Sequence, residues 1–351
     1  MPTSSTTYRG KWRCGSTTVV RVPKKLVAQL MDYMQVLDEK FAGLPVEKPR
    51  CDYFTASDVS RERPVNVATI PQRSPFRYPG GKTWFIPYVR SWLHSKETRS
   101  SVLVEPFAGG AIVSLTTGFE QLADHVVMAE LDPNVAGVWR AIFGGQTEWL
   151  ATRIEQFSLT KRNVAAVLDQ PCLTQRELAF ATILRNRVQR GGIMAPGAGL
   201  VKEGENGRGL HSRWYPETLA RRIREIAMQR ERFTFFEGDG FEIIRRYADV
   251  EDATFFVDPP YTAAARRLYS HWEIDHAELF KTLAGVKGDF LLTYDNTREI
   301  RDLAEEFGFE SETVSMKNTH HAKMTELIIG RDLSWLREAA HSREIQTQIA
   351  L

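Results

Sequence analysis

The sequence predicts an α/β fold built on a mostly parallel β-sheet, and three patterns in the 351-residue chain support this class. An apolar strand at 102–104 is followed by a glycine turn at Gly109-Gly110 and then by a helical pattern. A second apolar run, 125–129, ends at Glu130 and also precedes a helical pattern. A third apolar run, 253–257, stops at two prolines. Strand–turn–helix units of this kind are the repeating element of parallel sheets.

The segment before these units is predicted to be separate from the sheet. Residues 1–41 carry a strand pattern over 17–22, and Pro23 then begins an amphipathic helix. This small strand–helix unit fits a docking helix and also half of a DNA-binding unit that pairs as a dimer. Residues 42–73 are rich in proline and arginine, which predicts a linker or an extended arm.

The sheet itself is predicted in two parts, 74–149 and 236–335, which together form a catalytic domain. Further strands are expected at 233–236, ending near Asp239, and at 290–293. The apolar run 326–329 is expected to be a strand at the sheet edge.

Between the two parts, residues 150–235 are helical with a glycine- and arginine-rich centre, which predicts an inserted domain with a functional loop. Residues 336–351 are expected to form a polar tail.

Composition excludes several classes of protein. The formal charge is only +2, so the whole-chain balance does not by itself indicate nucleic acid. The three cysteines are far apart, so no disulfide framework and no metal site is expected. No apolar stretch approaches the roughly 20 residues that span a bilayer, and no signal-peptide pattern is present. The protein is therefore expected in the cytoplasm, without membrane contact.

The ends of the predicted strands carry hydrogen-bond acceptors. The glycine turn allows a ligand to approach the backbone, but it lacks the lysine of a phosphate loop. Glu130 follows the turn by about 20 residues, where a carboxylate can bind a ribose. Asp239 can accept from an amino group. A ligand with a ribose, an adenine and an ammonium group fits these acceptors, and S-adenosylmethionine has all three.

Asp258-Pro259-Pro260-Tyr261 suits a planar amine as the second reactant. The Asp258 carboxylate and the Pro259 carbonyl can hold its two N–H groups and stabilise the positive charge that develops on methylation. Tyr261 can stack on a base. A base must leave its duplex to reach such a pocket. No covalent intermediate is needed. Taken alone, the tetrapeptide also fits a turn with a capping aspartate.

Three segments in order, 76–82, 104–110 and 258–261, give the chain a resemblance to the Dam-like, alpha-group DNA adenine methyltransferases over about residues 74–332. The resemblance implies a Rossmann-like, S-adenosylmethionine-dependent methyltransferase sheet with an inserted, mainly helical target-recognition domain. It implies that Asp258, Pro259 and Tyr261 are catalytic and that Arg77 contacts the DNA target. The implied cofactor-binding residues are Tyr78, Gly80, Lys82, Glu105, Phe107, Ala108, Gly109, Gly110, Glu130, Asp239 and Asp258.

The insert is where DNA contacts are expected. The candidates are Arg185, Arg187, Arg190, Arg208, Arg213 and Trp214. Most arginine contacts to DNA go to phosphate, so one or two of these would read bases. Double-stranded DNA is the expected partner, in a bacterial or phage-encoded system. The target sequence, a restriction partner and the choice between monomer and homodimer stay open.

Two alternatives also remain. The same tetrapeptide serves methyl transfer to RNA or to a protein glutamine amide. A DNA-binding regulator with a vestigial catalytic domain is a third hypothesis, which intact Lys82, Asp258 and Tyr261 disfavour.

Overall fold

The computed structural model describes residues 67–77, 81–171, 174–194, 198–204, 207–260, 274–317 and 323–337. The predicted unit 1–41, most of the arm 42–73 and most of the tail 336–351 lie outside the described residues. The same holds for Tyr78, Gly80 and Tyr261.

The described residues contain seven strands and ten α-helices. The strands are β1 Ser100–Glu105, β2 Ala123–Glu130, β3 Phe233–Glu237, β4 Ala253–Val257, β5 Asp289–Asp295, β6 Glu310–Lys317 and β7 Lys323–Gly330. The helices are α1 Ile86–His94, α2 Ile112–Glu120, α3 Pro133–Phe143, α4 Thr147–Glu155, α5 Lys161–Leu168, α6 Gln175–Val188, α7 Pro216–Met228, α8 Gly240–Tyr247, α9 His276–Ala284 and α10 Arg298–Glu306. Short 3-10 helices include Lys82–Phe85, Arg190–Gly192 and Gly209–Arg213.

The strands form one mixed sheet in the order β3-β2-β1-β4-β5-β7-β6. The first five strands of this order pair in parallel, whereas β7 is antiparallel to both β5 and β6. The chain moves outward from β1 to β3 and then crosses to β4 on the other side of β1. In open α/β sheets this change of direction opens a crevice at the carboxyl ends of the strands. The predicted α/β, Rossmann-like sheet is confirmed.

The last strands correct the prediction for 326–329. This run belongs to β7, which lies between β5 and β6 and is not at the sheet edge. The edge strand β6 was not predicted, because its residues are mostly polar and Val314 is its one fully buried side chain among those described. A polar edge strand gives no apolar alternation to detect.

Two apolar layers cover the sheet. Leu103 packs with α1, α2 and α3 on one face, whereas Val102 and Val104 pack with α8, α9 and α10 on the other. Successive strand residues point to opposite faces, so β1 is buried on both sides. This burial fixes the strand ends on which the site is built.

Helices α4 to α7 lie within the predicted recognition segment 150–235 or at its boundary. α6 begins with a capping box formed by Thr174 and Glu177, and it packs against α3. Buried residues of α4, α6 and α7 belong to the same apolar cluster as α3. The described part of the segment therefore shares a core with one layer of the sheet. The domain boundaries proposed from sequence stay predictions.

Candidate active site

A cleft of about 630 Å³ opens at the carboxyl ends of β1, β2 and β4, where the topology places a crevice. Its lining brings together most of the predicted site residues that the structure describes. These are Arg77, Lys82, Glu105, Phe107, Ala108, Gly109, Gly110, Glu130, Arg187, Arg213, Asp239, Asp258 and Pro259.

The turn after β1 is the floor of the cleft. Gly109 has a φ of +48° and Ala111 a φ of +52°, so two residues within three adopt left-handed backbone. That conformation is unfavourable for a residue with a Cβ, and Ala111 is strained there. Trp139 Nε1 donates to the Gly109 carbonyl at 3.0 Å and holds the turn from below. The turn therefore presents mainly backbone atoms to the cleft, so a ligand can approach them closely.

Glu130 lies beside this turn and accepts a hydrogen bond from its backbone. Its Oε2 accepts from the Gly109 amide at 2.9 Å and its Oε1 accepts from the Asp132 amide at 2.8 Å. Burial raises the pKa of Glu130 to about 7, against the opposing effect of these amides. Each carboxylate oxygen has a second lone-pair site, so Glu130 can hold the turn and still accept from a ligand hydroxyl.

Glu105 lies at the end of β1 with only 3 % of its surface exposed. Its Oε2 accepts from the Ser114 amide in the first turn of α2 at 2.8 Å. Burial raises its pKa to about 8, and the charge of Asp258 acts in the same direction. Glu105 therefore ties the strand to the helix and adds a proton-binding group beneath the cleft.

Asp239 reaches the cleft from the start of α8, where its side chain accepts from the Phe241 amide at 2.9 Å. Gly240 permits this position. A Cβ there would lie 2.7 Å from the Pro106 carbonyl oxygen and 2.8 Å from the Phe107 ring. The aspartate and the aromatic ring thus line the same part of the cleft.

A buried three-residue ion network stands at the other side. Lys82 Nζ lies 2.8 Å from Asp258 Oδ1 and 2.9 Å from Glu326 Oε1. Lys82 and Glu326 are only 4 % and 3 % exposed, whereas Asp258 is partly open to the cleft. Burial lowers the pKa of Lys82, but the charges of Asp258 and Glu326 outweigh it, so the net shift is upward. Lys82 therefore stays protonated.

Asp258 receives a second donor on the same oxygen. Thr293 on β5 donates to Asp258 Oδ1 at 2.9 Å. Pro259 and Pro260 follow Asp258 along the cleft, and neither has a backbone N–H. This side of the cleft therefore presents acceptors to a ligand.

The opposite wall is basic. Arg77, Arg187, Arg213 and Arg222 all line the cleft. Arg77 Nη1 and Arg187 Nε are buried without a hydrogen-bond partner among the described residues. Burial, followed by the charge of Arg222, lowers the pKa of Arg187 to about 10. The wall is therefore an arginine-rich surface that can bind an anion.

Asn186 attaches this wall to the first motif, 76–82, through the backbone of Arg77. It accepts from the Arg77 amide at 2.8 Å and donates to the Arg77 carbonyl at 2.9 Å. A Cβ at Gly192 would lie 2.2 Å from that same carbonyl oxygen, so only glycine fits there. Residue 77 is thereby fixed beside the helix that carries Arg187.

The other residues predicted to contact DNA lie apart from the cleft lining. Arg190 and Arg208 are exposed, and Arg185 is half-buried. Trp214 is 6 % exposed and packs against Phe157, with 5.9 Å between ring centroids. The structure thus gives Trp214 a packing contact, and DNA contact by these four residues stays a prediction.

Several residues that line the cleft or pair with its lining were not singled out from sequence. Glu326 follows no motif, and only the unusual placement of a carboxylate at the start of an apolar run could have drawn attention to it. Arg222 lies in an arginine-rich stretch of α7, and a run of like charges on a helix is more typical of a solvated face than of a binding site. Leu131 is 50 % exposed and adds an apolar surface next to Glu130. Within the described residues, no His, Cys, Asp and Glu cluster could hold a metal ion, and no helix could cross a membrane.

Comparisons with known proteins add little to this geometry. No family model and no curated protein matches the chain. The similar solved structures include the rRNA methyltransferase AviRa from Streptomyces viridochromogenes, at 12 % identity and a TM-score of 0.35, covering 84 % of this chain and 99 % of that one.

Two others are the tRNA methyltransferase TrmK from B. subtilis and a precorrin-6y C5,15-methyltransferase from Geobacter metallireducens. TrmK has 10 % identity and a TM-score of 0.32, covering 70 % of this chain and 64 % of its own. The precorrin enzyme has 11 % identity and a TM-score of 0.30, covering 70 % and 87 %. All these TM-scores lie below 0.5, so function has to be inferred from the cleft itself.

Proposed function

We propose that the chain is an S-adenosylmethionine-dependent DNA methyltransferase that acts on the exocyclic amino group of a flipped-out adenine. The observation that carries this proposal is one cleft with three different walls: a glycine turn beside Glu130, an acceptor corner at Asp258-Pro259, and an arginine wall. The glycine turn with Glu130 suits a methyl donor, the acceptor corner suits a planar amine, and the arginine wall suits a phosphate backbone.

The donor side of the cleft fits a cationic nucleoside better than a phosphate. Glu105, Glu130 and Asp239 line it, and their carboxyl oxygens accept hydrogen bonds, whereas a pyrophosphate presents acceptors rather than donors. Glu130 would accept from the ribose hydroxyls and Asp239 from the adenine amino group, while the backbone at Gly109 allows close approach. When bound, S-adenosylmethionine would supply an electrophilic methyl group whose transfer leaves positive charge on the attacking nitrogen.

The acceptor corner would orient that nitrogen. Asp258 and the Pro259 carbonyl would take the two N–H groups of the amine, which localises its lone pair toward the donor. The negative charge of Asp258 would also stabilise the positive charge as it develops, without reorganisation of solvent. Tyr78, Gly80 and Tyr261 keep the cofactor-binding and stacking roles implied by the resemblance.

The arginine wall favours a nucleic acid over a protein amide. Arg77, Arg187, Arg213 and Arg222 face the reactants, and phosphate is the usual partner of arginines in nucleic-acid complexes. A base reaches a pocket of this kind only outside its stack. Arg185, Arg190, Arg208 and Trp214 extend the proposed DNA surface beyond the cleft.

Methyl transfer from labelled S-adenosylmethionine tests the proposal. We expect label in duplex DNA and N6-methyladenine in its digest. Label only in RNA or only in a glutamine peptide would replace the DNA substrate while keeping the methyltransferase. Transfer to none of these, with the donor not bound in calorimetry, would contradict the proposed function.

A further inference from the structure

Glu326 is a buried carboxylate that does not line the cleft itself but pairs with Lys82, which does, and it lies outside the three sequence motifs. It lies at an internal position of β7, 3 % exposed, with Oε1 2.9 Å from Lys82 Nζ. The residues after it, 327–329, are fully buried and apolar. Burying a carboxylate is costly, and replacing a complete buried ion network by apolar residues of similar size is often neutral or stabilising, whereas removing one partner alone leaves the others poorly paired. Its presence is therefore better explained by the charges that it faces.

The charges of the network show what Glu326 can do. Lys82 lies within contact distance of both Asp258 and Glu326. With Asp258 alone, the lysine would neutralise the carboxylate, and the corner would carry no net charge. When ionised, Glu326 adds a second negative charge, so these three side chains together carry one positive and two negative charges. An anionic corner attracts an amine that is becoming cationic, whereas a neutral corner does so weakly.

The geometry adds an orientation. Lys82 and Thr293 both donate to Asp258 Oδ1. These two donors anchor Oδ1 on the protein side. Glu326 fixes the lysine that provides one of the two anchors.

We propose that Glu326 is a positioning residue that balances the charge of Lys82 and so leaves the negative charge of Asp258 available to the substrate amine. The inference rests on the proposed methyltransferase function and adds a residue to it. Glu326 does not touch the reacting atoms, and it acts through Lys82.

Several titratable side chains lie near Glu326 in the described part of the chain. Lys82 and Asp258 face it directly, and Glu105 interacts electrostatically with both of them. On the neighbouring strands, Asp295 of β5 and Val314 of β6 are its register partners. Burial raises the pKa of Glu326 to about 7, while Lys82 opposes the shift. The corner should therefore lose its net charge as the pH falls through about 7.

The test is Glu326→Gln, which keeps the size of the side chain and removes its charge. With the acceptor that the wild-type protein methylates, and at saturating donor and acceptor, we expect kcat to fall about tenfold to 100-fold. The donor Kd from calorimetry should stay within about threefold of the wild-type value. The wild-type decline of kcat on the acid side should be flattened in the variant. Glu326→Asp, which keeps the charge, should restore most of kcat and the acid-side decline.

Glu312→Gln is the matched control, because Glu312 lies on the adjacent strand β6 and pairs with Arg337 at the surface. It should leave kcat and its pH profile unchanged. An unchanged kcat in a folded Glu326→Gln protein would overturn the inference and leave the proposed function intact, whereas an inactive wild-type protein would contradict the proposed function first.

If the Glu326→Gln variant does not fold, the Glu326→Asp variant tests whether the charge of Glu326 is required. A retained kcat and acid-side decline support the charge role, and loss of both overturns it.

Discussion

Lys82 Nζ lies 2.8 Å from Asp258 Oδ1, which joins the first and the last of the three sequence motifs within one side of the cleft. Lys82 begins a 3-10 helix that leads into α1, whereas Asp258 follows β4. Their contact orients the carboxylate before any ligand arrives. Preorganisation of this kind is what a site needs to stabilise a charge that appears only in the transition state.

Asp258→Asn should abolish most of the proposed methyl transfer. The amide keeps the shape of the side chain but not its charge, so we expect kcat to fall about 100-fold or more while donor and DNA binding persist. Asp252→Asn is the control, because Asp252 lies just before the opposite end of β4 and accepts from Ser101 Oγ at 2.7 Å. Single-turnover rates measure methyl transfer and binding titrations measure donor and DNA affinity, and both are compared between the two variants. Equal kcat for both variants would remove Asp258 from the chemistry.

Glu130→Gln should weaken binding of the methyl donor more than the chemical step. The carboxylate holds the Gly109 amide and is proposed to meet the ribose, so its loss acts in both the bound ground state and the transition state. We expect the donor Kd to rise about tenfold, with kcat at saturating donor within about threefold of wild type.

Glu237→Gln is the matched control for Glu130. Glu237 is the register partner of Glu130 on β3, but it pairs with Arg140 and does not line the cleft. Its donor Kd should not change. A large loss of kcat at saturating donor in Glu130→Gln would contradict the ribose role.

Glu105 should make the protein less stable as the pH rises. Its folded-state pKa is about 8 against an ordinary value of 4.5, so the native state binds the proton more tightly than the unfolded state. The stability from this proton is complete below about 4.5 and is lost as the pH rises to about 8. Glu130 and Glu326, both with pKa values raised to about 7, act in the same direction.

Thermal unfolding measured across that range checks this. The Tm of the wild type should fall between about pH 5 and pH 8.5, and the Tm of the Glu105→Gln variant should fall less steeply over the same range. Glu148→Gln is the control, because Glu148 is exposed and its hydrogen bonds to Arg224 lower its pKa. The Tm of the Glu148→Gln variant should fall with rising pH as steeply as that of the wild type. A Glu105→Gln slope equal to that of the wild type would show that the buried carboxyl does not change its proton binding on folding.

Much of the donor side of this cleft was predictable from sequence. Strands β1 and β2 are apolar runs that end at a glycine turn and at a carboxylate, and parallel pairing then brings Gly109 and Glu130 together. The order of elements alone decides that proximity. The strand that ends at Asp258 follows the same rule.

The rest depended on pairing that the sequence does not show. Glu326 reaches Lys82 only because β7 inserts antiparallel between β5 and β6, and nothing local specifies that order. The sequence also does not show which arginines of helix α7 line the cleft. Arg222 and Arg224 are two residues apart, but one lines the cleft and the other pairs with Glu148 and Glu155.

That difference gives a matched pair of variants on helix α7. Arg222 lines the cleft, and its Nη1 donates to the Ser74 carbonyl at 3.1 Å, which leaves four further donors on the guanidinium. If it contacts a phosphate, Arg222→Gln should weaken DNA binding about threefold to tenfold at moderate salt. The slope of log K against log salt should become shallower by about one unit, the change expected for one lost phosphate contact.

Arg224→Gln removes the same charge from the same helix, but from a side chain already paired with two carboxylates. It should leave both the affinity and the slope nearly unchanged, since the Arg224 guanidinium lies outside the cleft lining and is held by those carboxylates, so no phosphate contact is lost. Fluorescence anisotropy with one duplex at several salt concentrations measures both quantities. Equal changes in the two variants would mean that net charge, and not the arginine wall of the cleft, attracts the DNA. No salt dependence in either protein would favour an uncharged substrate and so contradict the nucleic-acid assignment.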